Sequence, residues 1–88
     1  MSYATFPQNG LTLETTVVVK AEYLADTHTI SVTVDGKPFH DMPRLMIDAL
    51  YHRAMDTLLK LCRQLVNECN CDPYEVDQLK TAAAAKFA

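Results

Sequence analysis

From Met42 to Cys69 the chain reads MPRLMIDALYHRAMDTLLKLCRQLVNEC, with no glycine, and this stretch limits the folds open to it more than any other. Ile47, Leu50, Ala54, Leu58, Leu61 and Leu65 follow at spacings of three and four. Met55, Leu59, Cys62, Val66 and Cys69 make a second such row beside the first, so the periodicity predicts one long amphipathic helix with a wide apolar arc. Asp41 is placed as its N-cap with Pro43 in the first turn, and the helix is expected over residues 41–70.

An α-helix of that length extends about 40 Å, whereas a globule of 88 residues has a diameter of about 30 Å. Two apolar rows need two packing partners. The remaining chain supplies only a small sheet and a short helix, so a second copy is the expected extra cover, through the long helix or a sheet edge.

Upstream the period changes from that of a helix to two. Residues 1–10 combine Tyr3 to Phe6 with Pro7 and the turn dipeptide Asn9-Gly10, and read as an arm or a short strand. Leu11 to Leu24 is rich in β-branched residues and reads as a long strand with one drier face, Thr15, Val17, Val19, Ala21 and Tyr23. Ala25 to Thr27 make a turn, after which His28, Ile30, Val32 and Val34 alternate with Thr29, Ser31 and Thr33 as a second strand. Asp35-Gly36 gives a tight turn, and Lys37-Pro38-Phe39 can add only a short edge segment, with Phe39 plugging the junction between sheet and helix. Asn70 to Pro73 end the long helix. Asp72 as N-cap, Pro73 at the first helical position and Glu75 at the capping-box position start another over residues 72–87, with Val76, Leu79, Ala83 and Phe87 inward. It is expected to fold back along the C-terminal half of the long helix. The resulting fold class is α+β: an antiparallel β-hairpin or three-stranded meander, residues 11–40, followed by one long and one shorter helix within a single domain, 1–88.

A hydrophobic fraction of 49% with 22% charged residues lies far from disordered composition. The formal net charge of −3, without a block of like charge, argues against a large phosphate-binding surface. Neither a signal-peptide pattern at the start nor an apolar run of membrane-spanning length is present, so a cytoplasmic location is expected. Three cysteines close no complete disulfide framework, and Cys62 and Cys69 on one helix are too far apart to bridge.

The candidate chemistry is sparse. Asp48, His52 and Asp56 stand four residues apart and could charge the imidazole for a pH-responsive contact or a weak metal site; between Arg44 and Lys60 they read better as a solvated ladder. Cys69-x-Cys71 with Cys62 lacks the pair spacing of zinc sites. The only glycines, Gly10 and Gly36, lie in apparent turns, which leaves no phosphate-cradling loop, and no nucleophile elbow occurs. No enzyme, metal or cofactor is therefore expected. The expected function is a non-enzymatic protein-interaction module, as a homodimer, that acts by occupying a larger protein or complex. In size and composition alone it is similar to small phage and mobile-element inhibitors and to bacterial adaptors. Its partner-binding residues are expected on the outer face of the hairpin, at Lys20, Glu22, Thr29, Ser31 and Thr33. The alternative is a nucleic-acid-associated regulator using a basic stripe of Arg53, Lys60 and Arg63 on the long helix.

Overall fold

A computed structural model describes residues 17–87; the expectations for residues 1–10 and for Leu11 to Thr16 lie outside the described residues. The protein is an α+β fold, a three-stranded antiparallel sheet followed by one long and one shorter helix. The strands are β1 (Val19–Leu24), β2 (Thr29–Val34) and β3 (Lys37–Pro38), in the order β1-β2-β3. The helices are α1 (Arg44–Asn67) and α2 (Pro73–Ala85).

The period-2 pattern sets which face is dry. Val19 lies opposite Val34, Ala21 opposite Val32 and Tyr23 opposite Ile30. Ile30, Val32 and Val34 are buried, while their neighbours on the edge strand β1 are half-buried. Lys20, Glu22 and Leu24 face Thr33, Ser31 and Thr29 on the other side. Two local devices hold the hairpins. Asp35 and Gly36, at φ 52° and 83°, make a two-residue turn with both central residues left-handed, the geometry that continues the twist of the strands. Asp35 also donates its amide to the Val18 carbonyl at 2.9 Å and accepts the Val18 amide on its carboxylate at 3.0 Å, which extends the ladder beyond β1.

Several boundaries differ from expectation. His28 is the last residue of the β1–β2 turn, at φ 52°, and does not take part in the strand. Asp41 is not the cap of α1: Phe39–Asp41 form a single 3-10 turn, and Pro43 stands at the N-cap, with the Ile47 amide donating to its carbonyl at 3.0 Å. Proline at that point sets an extended approach, and its carbonyl also accepts the Met46 amide at 2.9 Å, so one of the first-turn donors that a capping side chain would serve is already bonded. The helix ends at Asn67, because Asn70 turns left-handed at φ 57° while the Cys71 amide reaches back to the Leu65 carbonyl at 2.9 Å. Cys69, assigned to the second apolar row, is consequently exposed past the helix end. Asp72 is the N-cap of α2 with Pro73 at its first position, as expected, but Glu75 bonds elsewhere.

The core is one cluster between the sheet and the two helices. From α1 it takes Ile47, Ala54, Leu58 and Cys62, from α2 Val76 and Ala83, and from the junctions Phe39 and Phe87. Phe39 is completely buried, its ring 4.9 Å from Phe87 and at 88° to it, an edge-to-face pair that plugs the sheet-to-helix junction. Phe87 lies beyond the end of α2 and is also 6.4 Å from the Tyr51 ring. α2 thus runs antiparallel to α1 and reaches its N-terminal half, farther than the short helical pattern predicts. The second row of α1, Met55, Leu59 and Val66, is half-buried, and Leu45 near the start is 81% exposed.

Candidate functional site

The five outer-face residues form one surface. Strand alternation places Lys20 and Glu22 on the same side of β1, and the register sets Thr33 and Ser31 directly across from them, with Thr29 at the tip. Lys20 Nζ lies 3.5 Å from Glu22 Oε2, and both side chains are more than half exposed. The patch is framed by two exposed apolar residues of the same parity, Val18 at 58% and Leu24 at 36%. The result is a rigid, nearly neutral polar face with an apolar residue at each end of its first row.

Two of the three residues of the basic stripe are bonded within the protein, and the third, Arg63, is exposed. Arg53 Nη2 donates to the Val17 carbonyl at 2.7 Å, tying α1 to the entry of β1. Lys60 pairs with Asp56 at 3.0 Å, and Arg63 lines a groove between the helices. In the ladder, Asp48 is held by Arg44 at 3.2 Å and Asp56 by Lys60, while His52 stands against the Tyr51 ring. The carboxylates therefore serve the neighbouring cations more than the imidazole.

The interhelical groove, about 270 Å³, is lined by Leu59, Cys62, Arg63, Val66, Asp77 and Lys80. Burial pushes the Cys62 thiol up, opposed by the Lys80 charge, which favours the thiol over the thiolate. Lys80 is itself raised by its hydrogen bond and ion pair with Asp77, at 2.9 Å. Cys62, Cys69 and Cys71 are free cysteines, and among the described residues no three His, Cys, Asp or Glu side chains converge as metal ligands would.

One constellation was not anticipated. At the hairpin tip the Tyr23 hydroxyl lies 2.7 Å from His28 Nδ1, and His28 Nε2 lies 2.8 Å from Glu75 Oε1. The neutral tautomer with its proton on Nε2 satisfies both contacts, accepting from the phenol and donating to the carboxylate. Beneath the three lies a pocket of about 110 Å³ floored by Leu65, Cys71 and Leu79. A hydroxyl, imidazole and carboxylate in a row is also how acid–base catalysts are built. His28 and Glu75 are 52% and 55% exposed, however, so water competes for each contact and the chain acts as a clasp between the hairpin and the first turn of α2. Tyr23 and His28 are close in sequence across the hairpin turn, where His28 is left-handed, but Glu75 is distant from both and is brought to them by the packing of α2.

No family model matches the chain, and neither a curated protein nor a solved structure is significantly similar to it.

Proposed function

We propose that this protein is a non-enzymatic interaction module that binds a larger protein or complex through the outer face of its sheet, in the manner of a small inhibitor or adaptor of the phage, mobile-element or bacterial kind. The observation that carries the reading is the continuous outer surface of exposed Lys20 and Glu22 and half-buried Thr29, Ser31 and Thr33, with exposed Val18 and Leu24 at its ends. Short hydroxyl side chains on a paired strand lose little entropy on contact, and the flanking apolar residues supply the area that drives association. The nucleic-acid alternative has less support, because Arg53 is bonded to Val17 and Lys60 to Asp56. No helix among the described residues is long and apolar enough to cross a membrane, and we place the activity in the cytoplasm.

The test compares two folded variants in the native host. Ser31→Arg with Thr33→Arg raises bulk and charge on the sheet face; Arg53→Glu with Arg63→Glu reverses the stripe. The first is expected to abolish capture of the partner retained by the wild type, and the second to leave it intact. The opposite pattern would move the site onto α1. Capture that weakens steeply between low and moderate salt would favour phosphate contacts instead.

A further inference from the structure

We infer that two copies of this chain pair through the outer edge of β1, as an antiparallel two-fold dimer centred on Ala21. The inference is independent of what the sheet face binds. Its starting point is the direction of the backbone groups. The Asp35 amide bonds to the Val18 carbonyl, which marks Val18 and Asp35 as a bonded pair of the β1–β2 ladder. Bonding alternates along an antiparallel strand, so Lys20, Glu22 and Leu24 also turn their backbone groups toward β2. Val19, Ala21 and Tyr23 turn theirs the other way. Among the described residues nothing pairs with that edge.

The two edges of the sheet are not equivalent. The β3 edge is two residues long and contains Pro38, which has no amide to offer, so it is blunted against pairing. The β1 edge is six residues long and carries no proline. Its inward row is also the less covered: Val19, Ala21 and Tyr23 are half-buried where their partners on β2 are 2–5% exposed. A further strand beyond β1 would complete that cover.

The sequence of β1 is complementary to itself. With Ala21 on the two-fold axis, Lys20 stands opposite Glu22 of the second copy, and Glu22 opposite its Lys20. The same register puts Val18 against Leu24 of the second copy, the two exposed apolar residues of this face, and Val19 against Tyr23 on the inner side. It matches backbone as well, since Val19, Ala21 and Tyr23 face one another in bonded positions. Sliding the strands two residues either way keeps the backbone pairing but sets Lys20 against Lys20, or Glu22 against Glu22, in the closely spaced non-bonded positions. Like charges directly opposite are destabilising, so one register is selected. A two-fold axis perpendicular to the sheet makes an isologous interface and a continuous six-stranded sheet with all helices on one side.

Charge exchange tests both the edge and the register. Light scattering of the wild type over a concentration series is expected to give a mass near twice 9.9 kDa. Lys20→Glu and Glu22→Lys each place like charges opposite twice, by symmetry, and are expected to raise the dimer dissociation constant about tenfold or more. The double variant K20E/E22K recreates opposite pairs and is expected to restore the dimer. Ala21→Pro removes an amide that points away from β2, so the variant is expected to keep its circular dichroism spectrum and be a monomer. A wild type that stays at 9.9 kDa up to high micromolar concentration overturns the proposal. So does a dimer indifferent to K20E and A21P, which would place the interface on α1, or a double variant that stays dissociated.

Discussion

Phe87 lies at the far end of the described chain, beyond the last helix, yet it is 3% exposed, and its removal is expected to be as damaging as a central core substitution. Its ring meets Phe39 edge-to-face at 4.9 Å and approaches Tyr51 at 6.4 Å, and its carbonyl accepts a long hydrogen bond from Arg44 at 3.4 Å. Only the side-chain contacts are lost in Phe87→Ala. A buried Phe→Ala change costs about 3–5 kcal/mol, out of about 5–15 kcal/mol for a whole domain. At roughly 4 °C or more per kcal/mol in a chain of this size, the thermal midpoint should fall by at least about 12 °C. Urea unfolding followed by circular dichroism measures the loss. A cycle with Phe39→Leu and Phe87→Leu separates the aromatic contact, expected at about 0.5–1.5 kcal/mol, from the area lost. Tyr74→Ala, at a position 71% exposed, serves as the comparison and should change stability by no more than about 0.5 kcal/mol. If Phe87→Ala cost under about 1 kcal/mol, or the cycle showed no coupling, the C-terminal plug would not be closing the core and the account of the junction would fail.

Other substitutions sample other parts of the argument. Leu58→Ala, at a fully buried position of α1, is expected to cost about 2–5 kcal/mol, whereas Leu45→Ala, 81% exposed on the same helix, should be close to neutral; equal losses in urea titrations would mean the helix face is misassigned. His28→Ala removes the clasp and keeps a side chain at φ 52°, so it should be less stable than His28→Gly by about 1 kcal/mol, and a match between the two would refute the backbone argument. For Cys62 the folded pKa is raised, so its contribution is complete below the unfolded thiol value of about 8.5 and is lost as pH rises through the folded one. Stability should therefore decline in alkaline buffer, less so in Cys62→Ala after allowance for that variant's own baseline. Rapid labelling of Cys62 by a thiol reagent in the native state at neutral pH would contradict its burial.

Patterns with a short repeat were legible from sequence because burial repeats along an element. The inner rows of the sheet, the row from Ile47 to Leu65 and the Asp72-Pro73 start of α2 all follow from local alternation and backbone chemistry. Junctions were less legible. Asp41 has the residue type of a cap, but it falls in the 3-10 turn that begins at Phe39 and the helix starts at Arg44; Phe39 there is packed against Phe87, a contact distant in sequence. The same limit applies to Glu75, whose capping-box position is a local signal, whereas its bond to His28 depends on how the hairpin tip lies over α2. The outer-face residues could be grouped by parity alone, but their cross-strand partners depend on the β1–β2 register, which the turn of residues 25–28, closing on the left-handed His28, sets.

Lys20 and Glu22 belong both to the sheet face proposed to bind a partner and to the edge proposed to join two copies, and the two roles make different demands on them. Dimerisation uses their charges in alternation, Lys next to Glu around the axis, which leaves the centre of the joined face nearly neutral. The hydroxyl row of Thr29, Ser31 and Thr33 lies on β2, one strand farther from the axis, where it neighbours Leu24, Glu22 and Lys20 of its own chain and faces no residue of the second copy. A partner that reads the hydroxyl row would meet it twice, once on each side of the axis, and two linked contacts bind far more tightly than one when geometry allows both. Arginines at Ser31 and Thr33 should then abolish partner binding and leave the dimer unchanged, while A21P should leave each single contact intact and reduce only the gain from pairing. Loss of the dimer in the Ser31/Thr33 variant would show that the face and the edge are one surface, and would remove the basis for separating them.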